Sequence, residues 1–140
     1  MSDNPAVSCF IDTNIWLYAF VESDDGAKSA AARSLILQSE PVVSTQILNE
    51  ICVNLLKTGA FSEDQIIQLV EAFYQKYRVI ELNKAILQSA SRLRKQYSLS
   101  FWDSMVVASA LAADVPVLYS EDMQHELMIE QHLQILTPLL

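Results

Sequence analysis

The sequence is poor in glycine, cysteine and histidine, and each shortage excludes a class of site. Its 140 residues contain two of each. The two glycines, Gly26 and Gly59, cannot form the glycine-rich loops that bind dinucleotides or nucleotide phosphates. Cys9, Cys52 and the two histidines have no zinc-ligand spacing, so a structural zinc site has no support. The two thiols fit small apolar residues in a reducing cytosol.

Long apolar runs and basic charge are also scarce. No stretch approaches the roughly 18 apolar residues of a membrane span, and no signal peptide is recognisable, so we expect a cytoplasmic protein without membrane contact. Seventeen acidic residues against nine basic ones give a net charge of −8, whereas a surface that binds nucleic acid is usually basic. Most of this charge is expected to be a solvated acidic surface.

Apolar residues, by contrast, make up 51% of the chain, and we predict one core and a single domain over residues 1–140. Alternating strands and helices predict a three-layer α/β fold, with a mostly parallel sheet of four to five short strands flanked by helices. The predicted strands are 7–11, 41–43, 78–81, 115–119 and 133–136. The predicted helices are 13–20, about 27–38, 45 to Gly59, 62 to about 77, 83 to about 97, and 100–113.

Two acids follow predicted strands. Asp12 comes directly after the first strand, and Asp122 lies just past the fourth. Ligands of parallel α/β sheets bind beyond the carboxyl ends of the strands, so these acids are expected at one edge. Taken singly, Asp12 is also explained as a helix cap and Asp122 as a turn residue.

Two further acids lie on predicted helices. Glu50 falls on the side away from the apolar stripe, where it is a solvated charge or, with Lys57 on the same face, an acid beside a phosphate-binding base. Asp103 fits a capping box with Ser100, yet it begins an almost wholly apolar helix, where a carboxylate needs donors or a cation. Four converging acids would repel one another unless a divalent cation neutralised them, and oxygen ligands favour Mg²⁺ or Mn²⁺ over zinc.

Four segments in this order resemble the PIN-domain ribonucleases, most closely the VapC-type toxins of bacterial toxin–antitoxin pairs. They are Phe-Ile-Asp-Thr-Asn-Ile at 10–15, Ser-Thr-Gln-Ile-Leu-Asn-Glu at 44–50, Leu-Ser-Phe-Trp-Asp-Ser at 99–104 and Leu-Tyr-Ser-Glu-Asp-Met-Gln-His at 118–125. The resemblance covers nearly the whole chain and implies a PIN-like domain. Two positions depart from close relatives, which usually have alanine at Ser104 and glycine at Glu126.

The resemblance implies a metal-dependent endoribonuclease that leaves a 5′-phosphate and a 3′-hydroxyl. Its catalytic and metal-binding acids would be Asp12, Glu50, Asp103 and Asp122, holding Mg²⁺ or Mn²⁺. Supporting roles fall to Ser120, which matches a hydroxyl residue that the family often places near the metal, and to Thr13 and Asn14. A cation so held would activate a water and neutralise charge at the phosphate.

The implied partners are an RNA substrate, a cognate antitoxin and a second copy of the chain. The candidates for RNA contact are Lys57, Arg92, Arg94 and Lys95, although the last three also suit the end of a helix, where bases complement its dipole. The aromatic residues Trp16, Tyr18 and Phe20 are candidate anchors for the antitoxin or a homodimer, or else core residues.

Three other functions fit the sequence less well. A receiver-type phosphoacceptor domain needs adjacent acids after its first strand and a lysine after its last, but Thr13 follows Asp12 and no lysine or arginine follows Lys95. A Cys or Ser hydrolase needs a nucleophile motif, and none is recognisable. A non-catalytic PIN-like module that binds metal or RNA remains the main alternative.

Overall fold

The computed structural model describes residues 6–21 and 26–138, in which strands and helices alternate as predicted. The strands are β1 (Ser8–Ile11), β2 (Glu40–Ser44), β3 (Arg78–Ile80), β4 (Val117–Tyr119), β5 (Met128–Ile129) and β6 (Leu133–Leu136). The helices are α1 (Thr13–Phe20), α2 (Gly26–Gln38), α3 (Thr45–Lys57), α4 (Glu63–Lys76), α5 (Lys84–Tyr97) and α6 (Phe101–Ala112).

The described strands form one sheet in the order β3-β2-β1-β4-β6-β5. All neighbours are parallel except β5, which runs antiparallel to β6. The α/β class and the mostly parallel sheet are therefore confirmed. The predicted count of four to five strands is too low by β5, whose two residues are too few to show a strand periodicity.

The helix boundaries follow local capping chemistry. Ser44, Ser62, Asn83 and Ser100 each accept a hydrogen bond from a backbone N–H of the first turn that follows. At Ser62 the side chain of Gln65 completes the predicted capping box. Gly59 follows α3 with φ of +76°, a conformation that glycine adopts without steric cost, so it ends this segment as predicted.

The core lies on both faces of the sheet and contains the predicted apolar helix. Cys9, Phe10 and Ile11 of β1 are fully buried, and so is nearly all of the run from Ser104 to Ala110 in α6. Burial raises the pKa of the Cys9 thiol, in keeping with an apolar role for this residue. In the described part of the chain, no helix is long and apolar enough to cross a membrane.

Trp16 belongs to this core. Its side chain is 1% exposed, it packs against Phe73 and Tyr77, and its indole N–H donates to the backbone oxygen of Ile11. Trp16 is therefore a core residue, which was the alternative to a role as an anchor for a partner. Tyr18 and Phe20 of the same helix remain partly exposed.

The order of the strands in the sheet determines where a ligand-binding crevice opens. The chain leaves β1 for β2 on one side, whereas β4 pairs with β1 on the other, so the connections diverge at the ends of β1 and β4. The backbone N–H of Asp12 donates to the oxygen of Tyr119 at 3.0 Å. Divergence of this kind opens the crevice in which α/β domains bind ligands.

Candidate functional site

Asp12 lies at the centre of this crevice and is held by two donors. It is the N-cap of α1, where its Oδ1 accepts from the backbone N–H of Thr13 at 2.8 Å. Its Oδ2 accepts from the Oγ of Ser120 at 3.0 Å. The helix-cap interpretation is therefore correct, but the second oxygen is bonded to a residue at the end of another strand, as a shared site requires.

Glu50 reaches the same crevice through Thr13. The Oγ1 of Thr13 donates to the Oε2 of Glu50 at 2.7 Å, and Thr13 itself is buried. Glu50 is half-buried rather than fully solvated, because its carboxylate accepts from a residue of α1, a helix that packs against α3. A helical projection of α3 shows the residues of that helix alone, so it cannot show the contact with α1.

Asp122 is joined to α1 by Asn14. The Nδ2 of Asn14 donates to the Oδ2 of Asp122 at 2.8 Å, and the backbone N–H of Asp122 donates to the Oγ of Ser120 at 3.3 Å. Ser120, which is fully buried, thus contacts both Asp12 and Asp122. The residues predicted to support the acids, Thr13, Asn14 and Ser120, each contact at least one of them.

Asp103 approaches from the first turn of α6. Its backbone N–H donates to the Oγ of Ser100, which caps the helix, and its side chain is partly buried. The charges of Asp103 and Glu50 both raise the pKa of Asp12. This electrostatic coupling puts three of the predicted acids in one neighbourhood.

The protonation of Asp12 reflects these surroundings. Its pKa is raised to about 6, first because burial disfavours the charged carboxylate and then because of the charges on Asp103 and Glu50. The hydrogen bonds from Thr13 and Ser120 act in the opposite direction, since they stabilise the carboxylate. The ionised site is thus short of positive charge.

The donor chemistry of the site suits a hard divalent cation. Asp12, Glu50, Asp103 and Asp122 offer carboxylate oxygens, which suit Mg²⁺ and Mn²⁺ better than zinc. Within residues 6–21 and 26–138, however, no three acidic, cysteine or histidine side chains already lie at metal-binding spacing. Glu50 and Asp122 are instead bonded to Thr13 and Asn14, so a cation would have to draw their carboxylates together.

The predicted basic cluster does not act as a unit. Arg94 is partly buried, with Nη1 donating to Ser104 Oγ at 2.7 Å and Nη2 to Ser91 Oγ at 2.9 Å. Arg92 lines a separate cleft beside the last turns of α6. Lys95 and Lys57 are exposed, with Lys57 in the last turn of α3. The structure therefore singles out Arg94 as the base that is anchored near Asp103.

The sequence departs at Ser104 and Glu126 from the family that it resembles, and the structure shows what each residue does. Ser104 is buried, accepts from Arg94 and donates to the backbone oxygen of Phe101 at 2.6 Å. Glu126 adopts φ of +67°, and its backbone N–H donates to the oxygen of Ile135 at 2.7 Å. The turn after Asp122 thus has the left-handed conformation that suits glycine, although a glutamate stands there.

Two features beside the predicted acids were not part of the predicted site. Phe101 and Trp102, directly before Asp103, are largely exposed aromatic residues. Lys28 of α2 lies 3.6 Å from Glu121, which adjoins Asp122, and its ammonium lies over the ring of Tyr18. The Phe-Trp-Asp sequence contained a signal for the first feature, since large apolar residues at a polar helix start are unusual. Nothing in the sequence indicates the second.

Residues 9–128 match the sequence model of the PIN domain family. No curated protein sequence matches the chain. Solved structures match its fold, among them a toxin–antitoxin complex from Klebsiella pneumoniae, with a TM-score of 0.70 and 18% identity over 93% of this chain and 97% of that chain.

Two further solved structures share the fold. VapC20 of Mycobacterium tuberculosis, described as a toxin that cleaves the sarcin-ricin loop, has a TM-score of 0.62 and 16% identity over 79% of this chain and 86% of that chain. VapBC2 of Rickettsia felis, solved with a DNA fragment of its promoter, has a TM-score of 0.62 and 16% identity over 94% of this chain and 100% of that chain. At these identities the likeness is one of fold.

Proposed function

Since the chain belongs to the PIN domain family, we propose that it is a divalent-metal-dependent endoribonuclease and the toxin of a toxin–antitoxin pair. The observation that carries this proposal is the setting of Asp12. Donors from α1 and the end of β4 hold its carboxylate, while Glu50 and Asp103 surround it with negative charge. An acidic crevice of this kind suits metal-assisted hydrolysis of a phosphodiester.

We propose Mg²⁺ or Mn²⁺ as the cofactor, held by Asp12, Glu50, Asp103 and Asp122. When bound, such a cation supplies Lewis-acid chemistry, lowering the pKa of a water and neutralising charge at the phosphate. The work of the chain is to position the ligands. Ser120 holds one oxygen of Asp12, and the second donor on that residue, the N–H of Thr13, leaves lone pairs on both oxygens free.

Thr13 and Asn14 have a related positioning role. The hydroxyl of Thr13 orients Glu50, and the amide of Asn14 orients Asp122. Both donors come from the first turn of α1, so the helix that Asp12 caps also aligns two of the other acids. Their hydrogen bonds hold these two carboxylates beside α1, from where a bound cation would draw them together.

The partner proposed for this chain is an antitoxin. Structures of similar fold include a toxin–antitoxin complex and a complex with promoter DNA, which supports the assignment. A cleft of about 250 Å³ between α1 and α2 is lined by Phe20, Ile36, Leu37 and Tyr77, among others, and offers apolar surface. We propose that it receives an apolar segment of the antitoxin. A homodimer is also proposed, without assignment of its surface.

The proposed nuclease is tested by incubating labelled total RNA with the purified chain in Mg²⁺, Mn²⁺ or EDTA. Asp12→Asn and Asp103→Asn proteins of confirmed fold serve as comparisons. Metal-dependent cuts that vanish in both variants are expected. If all proteins leave the same background under every condition, the activity is absent and the non-catalytic binding module becomes the better explanation.

A further inference from the structure

Two large aromatic side chains are exposed at the start of α6, directly before Asp103. Phe101 is 62% exposed and Trp102 is 49% exposed. Most other exposed apolar residues of the described chain are aliphatic and lie far from these two in sequence. Exposed aromatic rings gain free energy when a flat apolar partner covers them, so the pair is a candidate contact surface.

A fixed cation accompanies this surface. The guanidinium carbon of Arg94 lies 4.3 Å from the centroid of the Phe101 ring, a distance typical of a stacked cation–π contact. Arg94 is held in place by Ser104 on α6 and Ser91 on α5. Because both terminal nitrogens of Arg94 are already hydrogen-bonded, the guanidinium and the Phe101 ring lose little conformational freedom when a ligand binds.

The charge of the surroundings makes Arg94 distinctive. The chain has a net charge of −8, and no lysine or arginine follows Lys95. Arg94 therefore brings positive charge to a part of the fold whose own sequence supplies acids and no lysine or arginine. A ligand that stacks on the aromatic pair and carries negative charge would satisfy both groups at once.

We propose that Phe101, Trp102 and Arg94 form a stacking platform that binds an unpaired RNA base beside the scissile phosphate. This inference rests on the proposed function and names the residues that bind an unpaired base of the proposed RNA substrate. Unpaired bases stack on aromatic rings and guanidinium planes, whereas the bases of a duplex are already stacked and paired. Since Trp102 adjoins Asp103, a base on the platform belongs to a nucleotide close to the phosphate at the acids.

The platform is tested by equilibrium binding, separately from catalysis. A fluorescein-labelled single-stranded RNA of mixed sequence, free or annealed to its complement, is titrated at one low ionic strength in EDTA. We expect the wild type to prefer the single strand. Phe101→Leu and Trp102→Leu are each expected to weaken that binding by about 5- to 100-fold, while Phe101→Tyr and Trp102→Phe retain most of it. Tyr74→Leu, at an exposed aromatic residue of α4, is the matched control and should bind as the wild type does.

A second measurement separates this inference from the proposed function. Cleavage of the same single strand in Mn²⁺ is expected to show a raised KM in the leucine variants, with a smaller change in kcat. If the wild type binds the single strand through the platform but does not cleave it, the nuclease proposal fails and the platform stands. Equal binding by the wild type and the leucine variants, or no preference for the single strand, would overturn the platform.

A measurement of the oligomeric state tests whether the aromatic pair is instead a contact between two copies of the chain. The molar mass of each protein is measured by light scattering during size-exclusion chromatography. An unchanged mass in Phe101→Leu and Trp102→Leu, together with weaker RNA binding, supports the platform. If these variants lose a dimer that the wild type forms and bind RNA unchanged, the aromatic pair is a contact between copies and the inference is wrong.

Discussion

The hydroxyl of Ser120 donates to the Oδ2 of Asp12 at 3.0 Å and thereby joins the ends of two neighbouring strands, β4 and β1. The two residues are 108 positions apart in sequence. Ser120 also accepts from the backbone N–H of Asp122. One buried hydroxyl therefore links two of the four acids proposed to hold the metal.

Removal of this hydroxyl should weaken the site more than the fold. In Ser120→Ala, the carboxylate of Asp12 loses a donor that stabilises its ionised form, so its pKa should rise above about 6. We expect weaker Mn²⁺ binding and a loss of about 1 kcal/mol in the free energy of unfolding. NMR titration of the Asp12 carboxyl and calorimetric Mn²⁺ titration measure the two site effects.

Ser109→Ala is the matched control for that variant. Ser109 is also fully buried, but its hydroxyl donates to the backbone oxygen of Met105 within α6. Its removal is expected to affect stability without moving the pKa of Asp12 or the Mn²⁺ affinity. Equal loss of Mn²⁺ affinity in both serine variants would show that Ser120 acts only through general stability.

Asp12 should make stability depend on pH. Its pKa is raised from 3.8 to about 6 in the folded state, so the folded chain holds this proton more tightly than the unfolded chain. The stability contributed by protonated Asp12 is complete below pH 3.8 and is lost as pH rises to about 6. Asp12→Asn has no such loss, and in EDTA it should be more stable than the wild type above pH 6, by about 1–3 kcal/mol.

The measurement is urea unfolding of both proteins in EDTA between pH 4 and pH 8. All other titrating groups are common to the two proteins, so the difference between their stabilities reports Asp12 together with its coupling to Glu50 and Asp103. That difference should shrink toward pH 4. Stability curves that run parallel over the whole pH range would contradict the raised pKa.

Divalent cations should reverse this order of stability. A ligand that binds the folded state alone stabilises it by an amount that grows with its concentration, by about 2.7 kcal/mol at a hundred times the Kd. We expect Mn²⁺ or Mg²⁺ to raise the Tm of the wild type at pH 7.5 and to have little effect on Asp12→Asn. The control is Glu81→Gln, at an exposed acid after β3, which should respond as the wild type does. A wild type whose Tm ignores both cations would count against the metal site.

Glu126 should carry a conformational cost that glycine removes. Its φ of +67° lies in the left-handed region, and the backbone N–H bond to Ile135 holds it there. Glu126→Gly is expected to leave the fold unchanged and to raise the free energy of unfolding by about 0.5–1 kcal/mol, despite the greater freedom of glycine in the unfolded chain. Chemical denaturation measures this change. Destabilisation by the glycine would show that the strain at Glu126 costs less than the freedom of glycine in the unfolded chain and the lost contact with His125 together.

Local patterns in the sequence were enough to predict most of the architecture. Strand-forming runs, capping residues and the apolar run of α6 depend on neighbours within a few positions, and the structure confirms the elements they predicted. The position of Asp12 and Asp122 at one edge of the sheet followed from a general property of parallel strands. The metal-binding roles of the four acids remain predictions.

Other features depended on contacts between distant segments. A helical projection placed Glu50 in solvent, but the packing of α1 on α3 brings it to Thr13, 37 residues away. The sequence indicated that Arg94 was one base of a cluster. In the structure, the packing of α5 against α6 places it in contact with Ser104 and the ring of Phe101. Residue type and periodicity, which depend only on neighbours along the chain, were enough to predict the helices and strands. The contacts between side chains of distant segments depend on how whole helices and strands pack together, so they became visible in the folded chain alone.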